Sequence, residues 1–211
     1  MKKKTYISPM RDLDIRKLLR DTLIAEIQQN DPSSFVIDEM EVCRGDARVD
    51  LAVINGKISG FEIKSSLDDL RRLPNQVEMY SRVLDSVTII TTEDHQDGLQ
   101  NRIPEWWGII VVNPEDQSLQ VIRDAADNPS TDPFAVASLL WREEALSILS
   151  IYGLDHGIKS KPREILWKRL ATSLPLSELK RTVRNKLKER ATWRSDQPQM
   201  SDDDLFPLFA T

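Results

Sequence analysis

The spacing of apolar residues changes twice along the chain and predicts three kinds of structure. Between residues 11 and 29, apolar side chains recur every three or four positions, which predicts one amphipathic helix that ends at Asn30-Asp31-Pro32. From Phe35 onward the spacing is two, which is typical of strands. These predicted strands cover residues 35–42, 48–54 and 58–64. From Phe134 the pattern is helical again, in three or four pieces.

The middle of the chain predicts a helix followed by buried strands. Residues 66–69 resemble a capping box and open a predicted helix to about residue 84, which Pro74 should kink or restart. β-branched runs at 87–90 and 108–112 favour strands buried on both faces of a sheet. A short helix around 97–103 and an edge strand at 119–122 complete the prediction. The fold class is therefore α/β, with the order αβββαβ and a mixed sheet, and an all-helical extension follows.

The segment 124–133 is rich in Asp, Asn, Ser, Thr and Pro, which is typical of a linker. It divides the chain into an α/β domain over residues 1–123 and a helical extension over residues 134–194. Residues 195–211 are acidic and contain Pro, so we expect a loose tail there.

Charge is distributed unevenly along the chain. The 211 residues carry a net charge of −5, but between residues 159 and 194 twelve Lys and Arg face three Glu. A basic end on an acidic body favours a module that binds a polyanion, although two amphipathic helices with solvated cationic faces would give the same count.

No apolar run reaches the length of a membrane span, and the basic N-terminus lacks the apolar region of a signal peptide. With Cys43 as the single cysteine, an internal disulfide is excluded, and we expect a cytoplasmic protein.

The hairpin between the second and third predicted strands gathers charged residues. A three-residue turn over 55–57 would pair Ile54 with Ile58, whereas a two-residue turn would shift the register by one. In the three-residue register Asp50 lies opposite Glu62. Arg48 then lies opposite Lys64, and the apolar residues of both strands fill the other face of the sheet.

This arrangement favours a cation site. Two carboxylates in a partly buried site raise each other's pKa unless a cation lies between them. Mg²⁺ or Mn²⁺ prefers such oxygen ligands, and Lys64 could orient water or neutralise charge on a phosphorane. A plain cross-strand ladder of salt bridges among the same four side chains is the structural alternative.

The context of these residues resembles the PD-(D/E)xK nuclease superfamily, whose core is αβββαβ. The pair Gln76 and Tyr80, four residues apart on one predicted helix face, is similar to the Gln-x3-Tyr motif of the RecB and lambda-exonuclease branch. Within the superfamily the chain is identified as a member of the sce7726 family of bacteria and phages. The residues that carry this identification are Asp14-Ile-Arg16, Arg48-Val-Asp50, Gly60-Phe-Glu62-Ile-Lys64-Ser65, Asp68, Arg72-Leu73, Gln76 and Tyr80-Ser-Arg82.

The resemblance implies a Mg²⁺- or Mn²⁺-dependent nuclease. Asp50 and Glu62 would hold the metal, Lys64 would position water, and Gln76 and Tyr80 would line the site. Superfamily members often use a further acid from upstream, for which the candidates are Glu26, Glu39 and Glu41. Val49 stands where many members have proline.

The helical extension predicts a DNA-binding surface. Residues 145–170 resemble a SAP-type helix-turn-helix, for which a plain helical hairpin is the alternative, and residues 174–190 predict an amphipathic helix. The candidate DNA-binding residues are Lys159, Lys161, Arg163, Lys168, Arg169, Lys180, Arg181, Arg184 and Lys188. Binding through them would depend on salt and would not read base sequence.

We therefore expect a nuclease-like α/β protein that hydrolyses phosphodiester bonds in DNA. The competing hypothesis is a protein that keeps the nuclease fold without catalysis and binds DNA or a protein partner. RNA is an equally compatible substrate from the sequence, and a homodimer would be the simplest way to cut two strands. No membrane partner is expected.

Overall fold

A computed structural model of the chain describes residues 10–65 and 68–195, and within them one six-stranded mixed sheet forms the centre. The strands follow each other in chain order across the sheet; β3 to β5 run parallel, and the other neighbours are antiparallel. The strands are β1 (Phe35–Val42), β2 (Ala47–Ile54), β3 (Ile58–Lys64), β4 (Ser86–Thr92), β5 (Gly108–Asn113) and β6 (Ser118–Arg123). The helices are α1 (Asp12–Leu19), α2 (Ala25–Asn30), α3 (Leu73–Val83), α4 (Glu93–Gln100), α5 (Pro133–Ala137), α6 (Arg142–Ile151), α7 (Arg163–Ser173) and α8 (Leu176–Ser195). The coarse prediction of an α/β protein with a mixed sheet is confirmed.

The first predicted helix is present, but one turn of it is wider than an α-helix. A π-helical turn, Arg20–Ile24, joins α1 to α2. Ile15, Leu19 and Ile24 are all buried in one cluster although the last two are five residues apart. The extra residue of a π-turn keeps Ile24 on the buried side of the helix.

The predicted hairpin register is confirmed from Ile54–Ile58 to Leu51–Phe61, but the ladder ends there, so the predicted cross-strand pairs Asp50–Glu62 and Arg48–Lys64 are not formed. Ile54 pairs with Ile58 and Leu51 pairs with Phe61, as the three-residue turn requires. The backbone N–H of Asn55 donates to the carbonyl of Lys57 at 3.1 Å and closes this turn.

Two helices differ in their limits from the prediction. A 3-10 turn at Leu70–Arg72 precedes α3, and Pro74 lies in the first turn of α3, so the chain restarts a helix there. The proposed capping residue Ser66 lies outside the described residues. Helix α4 begins at Glu93, four residues before the predicted start, with Glu93 and Asp94 favouring the positive end of the helix dipole.

The sheet has a hydrophobic core on each face. Leu51, Val53 and Phe61 pack with the first helix, whereas Ala52 and Ile54 belong to a larger cluster with α3 and the C-terminal helices. The expectation that one face of β2 and β3 is apolar and the other charged is therefore wrong. Helices cover both faces, and the charged side chains lie at the strand ends.

Strand β2 also breaks its alternation near Asp50. Val49 packs in the larger cluster beside Ala52, rather than with Leu51 as strict alternation predicts. Glu39, on the neighbouring strand β1, has a left-handed backbone with a φ of 51°, and the β1–β2 ladder skips it between Asp38–Leu51 and Met40–Val49.

The C-terminal helices share the larger cluster with the strands. Leu166, Leu170 and Val183 belong to it together with residues of β2, β4 and β5. In the segment 124–133, the Asn128 side chain donates to two backbone carbonyls at the end of α3. The division of the chain into 1–123 and 134–194 stays a prediction. No helix among the described residues combines the length and apolar character needed to cross a membrane.

Candidate functional site

A polar pocket of about 370 Å³ lies where β2 and β3 meet the N-terminal part of α3. The pocket brings together three of the predicted site residues on these strands, Asp50, Glu62 and Lys64, with Gln76 from α3. Its other charged or amide lining residues are Asp12, Arg16, Glu39, Asp46, Arg48, Asp68, Arg72 and Asn75.

Glu62 is the most connected side chain of the pocket. It is 1% exposed, and its Oε1 accepts hydrogen bonds from Lys64 Nζ and Gln76 Nε2, both at 2.5 Å. Its Oε2 accepts from the Tyr80 hydroxyl at 2.7 Å. Three donors, one on β3 and two on α3, therefore fix the orientation of this carboxylate. Hydrogen bonds to a charged acceptor are stronger than those between neutral groups.

Tyr80 connects α3 to the strand ends. Its hydroxyl lies 2.7 Å from Glu62 and 2.6 Å from the backbone carbonyl of Arg48, so two acceptors share one proton. The ring is buried and stacks on Trp107 with centroids 6.0 Å apart. Burial, and next the charge of Glu62, raise the pKa of Tyr80, so the phenol stays protonated and acts as a donor.

The Asp50 side chain accepts a backbone hydrogen bond where the ladder between β2 and β3 ends. Its Oδ2 accepts the backbone N–H of Ile63 at 2.7 Å, just beyond the Leu51–Phe61 pair. Burial, and then the negative charge of Glu62, raise the pKa of the Asp50 carboxyl to about 7. The two carboxylates therefore repel each other at neutral pH, as the sequence predicted for a pair without a cation between them.

Arg16, on α1, contacts this acidic group, and sequence reasoning gave it no role. Its guanidinium donates to the backbone carbonyl of Asp50 at 3.0 Å and to Glu39 Oε1 at 2.7 Å, and it lies 3.3 Å from Asp50 Oδ1. Arg48 pairs with the other oxygen of Glu39 at 2.8 Å. The only sequence signal for Arg16 was its place in the Asp14-Ile-Arg16 triplet.

The three upstream acids occupy different places. Glu39 lines the pocket beside Asp50, whereas Glu26 is exposed on α2 and is not among the pocket residues. Glu41 lines a neighbouring groove along β1 that does not include Asp50 or Glu62. Among the three, Glu39 is the one next to the pair of Asp50 and Glu62.

The donor set of the pocket fits a hard divalent cation with few protein ligands. Within the described parts of the chain, no three His, Cys, Asp or Glu side chains are grouped to hold a metal. Mg²⁺, however, is commonly held by one or two carboxylates with the remaining positions filled by water. The mutual repulsion of Asp50 and Glu62 is what such a cation would relieve. Gln76 Oε1 is also buried without a partner among the described residues, so an acceptor remains free beside Glu62.

The predicted DNA-binding residues divide into two groups. Five are exposed at α7 or in the loop before it: Lys159, Lys161, Arg163, Lys168 and Arg169. Of the four on α8, Lys180 and Arg184 pair with Asp85, and Lys188 donates to the Ser33 carbonyl. Arg181 is exposed and pairs with Glu178 of the same helix.

The fold and pocket define a mixed α/β protein in which a half-buried Asp50 lies beside the buried pair Glu62 and Lys64 at the end of a hairpin. The family model described as bacteriophage P4 protein cII matches residues 3–202, and the chain belongs to this family. Protein cII of Enterobacteria phage P4 is 25% identical over 183 residues, which cover 86% of this chain and 68% of that protein. A solved structure of a protein of unknown function from Silicibacter pomeroyi covers 98% of this chain at 14% identity, with a TM-score of 0.44.

The assignment to the sce7726 family is thereby wrong. It depended on nineteen positions in short motifs, nine of them charged and most of them around the hairpin and α3, whereas the cII match extends over nearly the whole chain. A few acids, a lysine and a Gln-x3-Tyr pair describe one pocket, and unrelated families can share a pocket of this composition.

Proposed function

We propose that this protein hydrolyses phosphodiester bonds in DNA with the help of Mg²⁺ or Mn²⁺, on a core of the PD-(D/E)xK type formed by α1, β1 to β3, α3 and β4. The observation that carries the proposal is the convergence of Asp50, Glu62 and Lys64 in one pocket, with Gln76 and Tyr80 bound to Glu62. Fold alone does not imply an activity, so the proposal depends on this group of side chains.

Asp50 and Glu62 would hold the cation. Glu62 is kept in one orientation by its three donors, and Asp50 is kept by the Ile63 N–H and Arg16. Fixed carboxylates lose little conformational entropy on binding a ligand. A divalent cation would supply Lewis acidity at a phosphoryl oxygen and lower the pKa of water.

Lys64 would position the attacking water. Its ammonium has three N–H donors, of which one is used by Glu62 at 2.5 Å. The other two can bind a water and a phosphate oxygen, where a positive charge stabilises the developing negative charge. Gln76 and Tyr80 would act by keeping the Glu62 carboxylate in one orientation.

The exposed cations of α7 and its preceding loop would supply affinity for the phosphate backbone. Lys161, Lys168 and Arg169 are exposed to solvent, as contacts to phosphate require.

One observation favours the alternative of a binding protein without catalysis. Lys64 and Glu62 form a direct ion pair whose side chains are only 3% and 2% exposed. In this arrangement the pair neutralises itself, and a substrate would have to compete with it. Such a pair could persist as a structural element of a domain that binds DNA or a protein.

Cleavage assays with matched variants separate the two functions. Supercoiled, linear and single-stranded DNA would be incubated with Mn²⁺ and the wild type, Glu62→Gln, Lys64→Met, or Glu78→Gln as a control. Glu78 is an exposed residue of α3 outside the pocket. The nuclease proposal expects cleavage by the wild type and Glu78→Gln and its loss in the other two. DNA binding by all four proteins without cleavage would instead support the alternative.

A further inference from the structure

A second and larger cavity lies along β1. This groove has a volume of about 870 Å³ and runs between β1 and the segment 138–143, with α7 and α8 contributing to its wall. Small-molecule pockets span roughly 300–1,000 Å³, so the groove lies at the upper end of that range. Nothing in the proposed chemistry uses it.

The groove adjoins the candidate active site. Glu39 and Arg48, which pair with each other, line both cavities, so a ligand extended along β1 could contact both. A chain-like ligand fits two adjoining cavities better than a compact molecule does.

One aromatic side chain of this groove, Trp141, is exposed and is contacted by an arginine. Trp141 is 50% exposed, and the guanidinium of Arg190 lies 4.2 Å from the centre of its ring. Arg190 is itself fixed by Glu144 Oε1 at 2.6 Å and by the Leu139 carbonyl at 2.8 Å. The indole is therefore supported by a cation in a defined position and still exposes half of its surface.

Exposed guanidinium groups accompany this ring. Arg44 and Arg163 line the groove and are exposed, and among the described residues no ion pair involves Arg44. Most acids of the groove are neutralised, because Asp38 pairs with Arg20 and Glu39 pairs with Arg16 and Arg48. Glu143 pairs with Arg142, and Glu41 is the acid in the lining that has no ion pair among the described residues. Cationic side chains with an exposed aromatic ring are the features that bind single-stranded nucleic acid.

We propose that the groove binds an unpaired DNA strand and delivers it to the pocket of Glu62 and Lys64, with one base stacked on Trp141. The inference rests on the proposed nuclease function and specifies that its substrate is single-stranded DNA. In a duplex the bases already stack on each other and are not free to stack on a side chain. The other extended ligand, a peptide added to the edge of β1, is disfavoured because the left-handed backbone of Glu39 interrupts the edge.

Binding can be measured separately from cleavage. Fluorescence anisotropy in EDTA, which prevents metal-dependent hydrolysis, would compare a labelled 20-nucleotide single strand with the same sequence as duplex DNA and as RNA. Trp141→Ala should weaken single-strand binding about fivefold or more and leave duplex binding unchanged, whereas Trp141→Tyr should retain most of the affinity. Arg44→Glu should weaken single-strand binding also, and Arg102→Glu, an exposed arginine outside the groove, should weaken it less.

Thermal melting of every variant would verify folding, and Arg44→Glu would still test the groove if Trp141→Ala failed to fold. Unchanged single-strand affinity in folded Trp141→Ala and Arg44→Glu would overturn the inference, and so would a preference for duplex DNA that both variants keep. Cleavage that persists in that case would leave the nuclease proposal intact. Groove-dependent binding without any cleavage would refute only the nuclease proposal.

Discussion

Asp50 and Glu62 lie on neighbouring strands at the open end of the hairpin, and burial together with the charge of Glu62 raises the pKa of Asp50 to about 7. An acid whose pKa is higher in the folded than in the unfolded state makes the protein less stable as the pH rises from the unfolded value to the folded value. For Asp50 this window runs from its ordinary value of 3.8 to about 7.

Asp50→Asn removes this titration while an amide oxygen can still accept the Ile63 N–H. The free energy of unfolding of the variant minus that of the wild type should increase by roughly 2–3 kcal/mol as the pH rises from 5 to 8. Urea denaturation in EDTA at each pH would measure this difference. A stability difference that does not change with pH would contradict the raised pKa.

Divalent cations should stabilise the wild type through the same pair. At a Mg²⁺ concentration ten times its Kd, mass action predicts an increase in Tm of about 3–6 °C for a chain of this size. Asp50→Asn and Glu62→Gln should lose the increase, and Glu78→Gln should keep it. Equal increases in all four proteins, measured by calorimetry, would place the bound cation elsewhere.

The Tyr80 hydroxyl should matter for stability as well as for orientation. Tyr80→Phe leaves the Arg48 carbonyl and one oxygen of Glu62 without their buried donor, which should cost about 1–3 kcal/mol. Tyr152→Phe is the matched control, because Tyr152 is 37% exposed and its hydroxyl contacts Glu178 at the surface. Denaturant unfolding would compare the two, and similar costs would argue against a special role for Tyr80.

Lys180 and Lys168 should respond differently although both were predicted to bind DNA. Lys180 Nζ lies 2.7 Å from Asp85 Oδ1, and the other oxygen of Asp85 accepts the Ile58 N–H. Lys180→Met should therefore destabilise the fold by roughly 1–3 kcal/mol, because the nearly buried Asp85 carboxylate loses its ion pair with Lys180. Lys168→Met, at an exposed position of α7, should change stability by less than about 0.5 kcal/mol but weaken DNA binding. DNA affinity measured by filter binding would show whether the two effects separate in this way.

The hairpin could be predicted because local rules determine it. Asn55 and Gly56 select the turn, and the pairing of Ile54 with Ile58 follows from its length. Strands β3, β4 and β5 were predictable for a similar reason, since β-branched residues favour buried strands over helices.

The orientation of individual site residues was not predictable to the same degree. Alternation failed at Val49, which packs in the larger cluster, and the neighbouring strand carries a left-handed residue, Glu39, that no local pattern predicts. Arg16, on α1, contacts Asp50, which lies 34 residues later on β2. No local sequence pattern encodes a tertiary contact of this kind. The partners of Lys180, Arg184 and Lys188 depend in the same way on how α8 packs, because Asp85 and Ser33 lie outside that helix.

The π-turn of the first helix has a consequence for sequence comparison within the family. Arg20–Ile24 accommodates one residue more than an α-helical turn, and Leu19 and Ile24 on its two sides are both buried. Deleting one residue inside this turn would convert it to an α-helical turn while keeping apolar residues against the core. Relatives that differ by a single-residue gap at this position can therefore share the fold, and alignments should allow the gap here before placing one in the strands.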